Sequence, residues 1–590
     1  MKKALLLLLT IALLFTDCAW TARAEKHEAI TFSAPFYNAS NFVALVNEKY
    51  PEINLEFIPY NGQNTTAYTQ ASLNTGYAAD IYCATTYSPD VDDLSDKLLD
   101  LSGYTFTDNY VKSRLHEISD RGTVYLLPAL YSCLGIVYNR AILEKEGWSL
   151  PQSLNDMAEL KKKAEAKGYQ FSLTQMQYPG NGFQYMCNIA DTDYLSTMDG
   201  RAWQRAFLRG EATLADSPEM LQCFQTIEKW RDLGLLNASG DARLVSDVRD
   251  EMAEGNTLFM LGASNDFTRY GEDVANMFGL MPYLSEDGTQ NVYILSTQRY
   301  YGLSKRLAEP GSEQKLEDAL HVMELLSTPE GLTSLYASEQ NVSMFPLKDT
   351  SVQSSNHSDD EALLALVNAG YTAPFIYSGW ENIVVGCGQK MFDFMRGDCS
   401  IEDVVQYIDD NQYRITQQQP ETFTTVAEVI NTEDCARFVG AAFGEAVNAD
   451  AALISLNAYY GILNDSRLNP SGVSGALFPM PITDQEITTI LPTGWTENIS
   501  TVTLTGARIK ELAQTGYEIP AFGAVYPYVL ETKGDQPLED DQTYTVVVCG
   551  VTDAVAEEGQ LQDTGVLGLD AAKTYLKQFG TLSAQDIHWD

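Results

Sequence analysis

Residues capable of covalent or metal chemistry are few and scattered. Histidines stand at positions 27, 116, 321, 357 and 588, no two of them at metal-ligand spacing, so a His/Cys zinc site is not expected. Cysteines at 83, 133, 187, 223, 387, 399, 435 and 549 form no C-x-x-C. They read as isolated buried thiols, with a Cys387–Cys399 pairing as the alternative. No G-x-S-x-G and no Walker A segment occurs. With 80 acidic residues, carboxylate pairs arise by number alone and do not mark a glycosidase. Neither a metal nor a cofactor is expected. Aromatic side chains are plentiful instead, with 33 tyrosines and 23 phenylalanines. Most of these must be core or surface. A subset falls where expected strands end: Phe36, Tyr37, Tyr60, Tyr87, Tyr131, Tyr300, Tyr301 and Trp380, with the polar pair Asn265 and Asp266 after another strand.

Alternating elements must position these residues. Strands are expected at 29–32, 53–60 and 79–85, with helices at 41–49 and up to 73. A turn at 122–128 leads into a strand, and 134–138 reads as a further strand. Helices follow over 153–167, 202–208 and 218–233, a strand over 256–262, short strands at 277–282 and 300–304, and helices at 315–326 and 330–336. Such alternation argues for an α/β unit with a largely parallel sheet.

The chain is long enough for three or four domain-sized units, with 590 residues. Its 45% hydrophobic content excludes wholesale disorder. A formal charge of −42 repels phosphate backbones, so no nucleic-acid partner is expected. No D-x-D-x-D-G loop turns that acid into a cation store. It reads as the surface of a soluble protein outside the cell. The N-terminus agrees: Met1-Lys2-Lys3, an apolar run 4–15 and Ala22-Arg23-Ala24 have the pattern of a signal peptide, 1–24, cleaved before Glu25. Its removal brings the charge to −44. Cys18 offers a lipid-anchor alternative, but Asp17 before it fits poorly. No later stretch approaches ~18 uninterrupted apolar residues.

Several segments, in order, resemble the extracellular solute-binding proteins of ABC importers, of the sugar-binding kind. They are Asp80-Ile81-Tyr82, 122–128 (GTVYLLP), Val137-Tyr138-Asn139-Arg140, 144–151 (EKEGWSLP), 255–260 (GNTLFM), 301–305 (YGLSK), Thr328-Pro329-Glu330-Gly331 and a closing helix over 395–409. The resemblance spans residues 25–412. It implies a type II periplasmic-binding-protein-like fold: two α/β lobes joined by crossing strands, closing by a hinge over a small, sugar-like ligand. It places the ten strand-end residues named above in the cleft, where rings stack on sugar faces and Asn and Asp meet hydroxyls. The implied partners are permease subunits, and the implied contact with a membrane is through them or through a lipid anchor.

Past a polar, glutamine-rich stretch, 413–424, the composition shifts. A helix is expected over 421–447, strands at 452–456, 487–491, 499–504 and 544–549, and helices at 507–514 and 571–579. Ala449-Asp450-Ala451-Ala452-Leu453, Leu491-Pro492-Thr493-Gly494 and 504–512 (LTGARIKEL) resemble the C-terminal domain of 5′-nucleotidases. Residues 425–590 are therefore expected to form a separate α+β domain of that type. The departures are in the nucleotide-binding parts: Thr493 stands where the family stacks a ring on the base, and 455–461 (SLNAYYG) replaces its glycine- and arginine-bearing segment. Tyr459, Tyr460, Arg467 and Trp495 could form a different pocket. The D-x-H, G-D-x-x-D and G-N-H-E motifs of the family's catalytic metallophosphatase domain are absent. The expectation is a non-catalytic domain. The competing reading is a nucleotidase-related hydrolase or nucleotide-binding protein, and phosphate release from AMP separates the two.

Overall fold

The computed structural model describes residues 26–589, apart from 36–38, 61–64, 88–92, 121, 264–265, 268–269, 338–344, 349–364, 368–370, 377–378, 381, 414–420, 457–472, 474, 492–497, 520–523, 550–554 and 556–560.

The first lobe begins with three short parallel strands, β1 (Ile30–Ala34), β2 (Leu55–Pro59) and β3 (Ile81–Ala84), in the order β2-β1-β3. The Ser40–Lys49 and Thr65–Asn74 helices connect them. β4 (Leu127–Asn139) is buried along all 13 residues. It runs out of this lobe and into the next. Its first half pairs with a later strand and its second half lies between two others, so the turn-entry strand and the 134–138 strand expected from sequence are one element. The second lobe contains β5 (Gln170–Leu173), β6 (Thr257–Ala263) and β7 (Phe278–Met281). β8 (Tyr293–Leu303) then returns to the first lobe, antiparallel to β4 and to β3, and β9 (Thr372–Pro374) lies parallel to its start. The nine strands make one sheet.

Local signals set the boundaries. The Asn139 side chain accepts from the Ile142 amide at 3.0 Å and starts the Arg140–Glu146 helix, which Gly147 ends at φ +67°. The single helix expected over 395–409 is two, Val384–Arg396 and Ile401–Asp410. Gly397 at φ +85° closes the first, and a Ser400/Asp403 capping box opens the second. Two separate cores result. One packs Phe32, Phe42, Tyr301 and Val322 in the first lobe; the other packs Phe183, Phe207, Trp230 and Phe259 in the second.

Residues past 420 build further sheets. β10 (Thr424–Val426) pairs with β12 (Pro481–Ile482) and β19 (Thr581–Leu582). The helix expected from 421 thus begins later, at Thr432, because Asn431 caps it through the Asp434 amide. A five-stranded mixed sheet runs β16 (Tyr528–Thr532), β11 (Ala451–Ser455), β17 (Thr543–Cys549), β13 (Asn498–Thr505), β18 (Gln562–Leu567). β14 (Tyr517–Ile519) and β15 (Ala524–Tyr526) form a separate hairpin. Alternation along β11 divides the interior. Ala452 and Ile454 face the Thr432–Val447 and Gly568–Leu576 helices, whereas Ala451 and Leu453 face the Gly506–Thr515 helix. The strand expected at 487–491 is instead the Asp484–Ile490 helix. Thr483 and Glu486 form its capping box, the Glu486 carboxylate accepting from the Thr483 amide at 2.9 Å.

Candidate ligand cleft

Because β1, β2 and β3 are parallel, the loops after Ala34, Pro59 and Ala84 gather on one edge of the first lobe. Hydrogen bonds tie them together. The Tyr60 amide donates to the Ala34 carbonyl at 3.0 Å, and the Thr66 and Thr85 hydroxyls lie 2.9 Å apart. In the second lobe β5 and β6 are also parallel and end at Leu173 and Ala263. Between the lobes, β4 and β8 cross side by side, and their register slips between Pro128 and Leu130 and again between Leu130 and Tyr131. Such irregularities bend a strand pair locally. Tyr131, paired with Thr297, stands at that bend and packs with Cys133, Tyr293, Leu295 and Val367.

Of the strand-end residues, Tyr87 and Tyr300 are brought together at the first lobe's edge, ring centroids 6.0 Å apart and nearly perpendicular. Tyr301, next along β8, points to the opposite face. It packs edge-on against Phe32 at 5.4 Å and hydrogen-bonds the Tyr336 hydroxyl. Burial holds its hydroxyl pKa well above the usual range. It is a core residue, not a cleft residue. Trp380 is likewise core. Its ring stacks on Phe207 at 4.9 Å and tilts against Phe183 at 5.6 Å. Asp266 sits after β6 as expected, but its carboxylate is engaged: one oxygen accepts from Arg249 at 2.6 Å and the other from the Ala263 amide at 2.8 Å. It shapes the loop at the strand end. Phe36, Tyr37 and Asn265 lie outside the described residues, as do Tyr459, Tyr460, Arg467 and Trp495.

Tyr60 has a different neighbour from the one expected. It is 1% exposed, and residues beyond 470 cover it. Its hydroxyl donates to the Thr489 carbonyl at 2.9 Å, and its ring stacks on Tyr68 at 3.5 Å and 9°. Burial holds its pKa well above the usual range and pushes that of Tyr68 up to about 12. Phe478 packs against Tyr68 at 5.4 Å and Tyr77 at 6.1 Å. These partners were not singled out in the sequence. One available signal was the S/T-x-x-E pattern at Thr483-Asp484-Gln485-Glu486, which marks a helix start just where the contact forms.

All eight cysteines among the described residues are free. Cys387 Sγ lies 3.8 Å from Met186 Sδ, and Cys399 Sγ donates to the Lys390 carbonyl at 3.6 Å, so the isolated-thiol reading describes them. Among the described residues no cluster of three or more His, Cys, Asp or Glu could hold a metal ion. No described helix is long and apolar enough to cross a membrane.

Solved structures share this two-lobed arrangement. MsmE of Bacillus subtilis subsp. subtilis str. 168, a binding protein in an open conformation, aligns at TM-score 0.53 and 14% identity over 66% of this chain and 97% of its own. Apo RafE of Streptococcus pneumoniae aligns at 0.52 and 15% over 66% and 98%. A solute-binding protein of family 1 from Bifidobacterium longum subsp. infantis aligns at 0.51 and 18% over 65% and 98%. At such identities the likeness is one of fold. No curated protein matches the chain in sequence. The family model for bacterial extracellular solute-binding proteins matches residues 41–364, the stretch from β2 through β8, and the chain belongs to that family.

Proposed function

We propose that the chain captures an oligosaccharide between its two lobes and delivers it to the permease of an ABC importer. The observation that carries this reading is the crossing of β4 and β8. Two strands with slipped registers run between two separately packed cores, the construction of a hinge. Tyr87 and Tyr300 meet at the first lobe's edge and Tyr131 stands at the bend, all three largely buried, and aromatic faces suit sugar rings. A fold neighbour, RafE, holds raffinose (15% identity, TM-score 0.51), and chitin oligosaccharide is the ligand named for another (15%, 0.50).

The region from 425 onward is read as a 5′-nucleotidase C-terminal-like domain without catalysis of its own. The support is the segment resemblance together with the missing metallophosphatase motifs. Its helices cover both faces of a mixed sheet.

A thermal-shift panel tests the proposal. Ligand at about 100 times its Kd adds about 2.7 kcal/mol of stability. Raffinose, xylo-oligosaccharides and chito-oligosaccharides are the first probes. A saturable rise in Tm with one of them supports the reading. No rise with any oligosaccharide counts against it, and phosphate released from AMP would replace the non-catalytic reading.

A further inference from the structure

We propose that the C-terminal unit is a strap across the cleft, anchored on the first lobe and latched to the second, that sets how far the lobes stand apart at rest. The inference rests on the two-lobed capture reading above.

One short helix touches both lobes. At its C-terminal end the Thr489 carbonyl accepts from Tyr60, which follows β2 at the first lobe's cleft edge. Near its N-terminal end Gln485 Nε2 donates to Asn382 Oδ1 at 3.3 Å. Asn382 is two residues past Trp380, whose ring is fixed in the second lobe's core. The Asp484–Ile490 helix therefore reaches from one lobe to the other.

The two contacts are unequal. On the first lobe the contact is buried at Tyr60 and tightly fitted. Gly475 takes φ +84°, and a Cβ there would come within 2.5 Å of the Tyr60 ring and 3.0 Å of Tyr68. Thr432 donates to the Gly475 carbonyl at 2.7 Å, which ties this fit to the start of the Thr432–Val447 helix. Phe478 closes over Tyr68 and Tyr77. On the second lobe, among the described residues, the helix makes a hydrogen bond between two side-chain amides, one of them on an exposed residue. Such a bond exchanges readily with water. The strap thus moves with the first lobe, and the Gln485–Asn382 latch is the contact that yields when the lobes rotate. Tyr60, an aromatic at a strand end where the fold gathers its cleft loops, serves as the anchor.

The test uses the full chain with Cys399→Ser and spin labels on Glu48→Cys and Lys163→Cys, exposed positions of the two lobes, in the absence of sugar. Gln485→Ala removes the latch from the surface without touching a core. The expected result is a broader interlobe distance distribution with a shifted maximum. Gly475→Leu, which wedges the anchor, should shift it further. Because that variant could also loosen its own loop, Tyr60→Phe serves as the conservative second probe of the anchor. Distributions for Gln485→Ala and Tyr60→Phe that both superimpose on the parent overturn the strap. A chain that shows the shift but binds no oligosaccharide keeps the strap and overturns only the capture reading.

Discussion

The Tyr60 hydroxyl and the Thr489 carbonyl, 429 residues apart in sequence, meet at 2.9 Å in a site closed to solvent. An aromatic whose position suggests a ligand contact is thereby the joint between two parts of the chain. Tyr60→Phe leaves the Thr489 carbonyl buried without that donor, which costs about 1–3 kcal/mol. Tyr60→Ala also removes the Tyr68 stack and leaves a cavity, for about 3–5 kcal/mol. Denaturant titration of both variants should return that order. Equal stability of Tyr60→Ala and the parent would mean that the joint does not form.

Asp191 gives a pH dependence with a definite sign. Its carboxyl is fully buried, neither oxygen has a hydrogen-bond partner, and burial pushes its pKa up to about 8. The unfolded value is about 3.9. Between these values the native state holds a proton that the unfolded state lacks, so stability falls as pH rises from about 4 to about 8, by at most about 1.4 kcal/mol per pH unit. Below that window the contribution is complete; above it the loss is complete. Asp191→Asn removes the titration. The difference between parent and variant stability, measured by urea unfolding across pH 4–9, should slope downward through the window. A flat difference contradicts the assignment.

Arg249 and Asp266 form a partly buried ion pair of the second lobe at 2.6 Å, with side chains 26% and 7% exposed. Removing only the cation leaves a carboxylate largely out of water, at a cost of about 3–5 kcal/mol, reduced where solvent still reaches it. Arg249→Met should therefore destabilise the lobe more than Arg249→Met combined with Asp266→Asn. A double-mutant cycle measures the coupling, and additive single effects would show that the pair is not linked.

The buried cysteines should be inert in the folded chain. Burial pushes the thiols of Cys83, Cys387 and Cys435 up to about 12, and thiolate is the reactive form. Mass spectrometry after brief exposure to a thiol reagent at pH 8 should show Cys399, the partly exposed one, modified ahead of the others. Rapid labelling of Cys83 or Cys387 would contradict the packing around them.

Much of the two-lobed fold was legible because local signals and burial agreed. Ser153, Ser217 and Thr328 cap helices where apolar periodicity begins, and hydrophobic runs such as 257–261 are buried strand. The long strands were harder. Ser132 and Cys133 sit mid-run in β4, and nothing in their types shows that one strand serves two lobes. Residues 487–491 are rich in β-branched side chains and read as a strand, yet the Thr483/Glu486 box and the contact with the first lobe make a helix. The site was less legible than the fold. A tyrosine at a strand end offers the same ring to a sugar, to a core or to another part of the chain. Tyr300 and Tyr301 differ only by the alternation of β8, and Tyr60 only by what Gly475 and Thr489 bring to it.

Titration calorimetry of the full chain with raffinose, xylo-oligosaccharides and chito-oligosaccharides tests capture between the lobes most directly. Saturable heat with one-to-one stoichiometry is expected for at least one of them, with affinity reduced at least tenfold by Tyr87→Ala combined with Tyr300→Ala. Absence of heat for every oligosaccharide, or binding unchanged in that double variant, would contradict it.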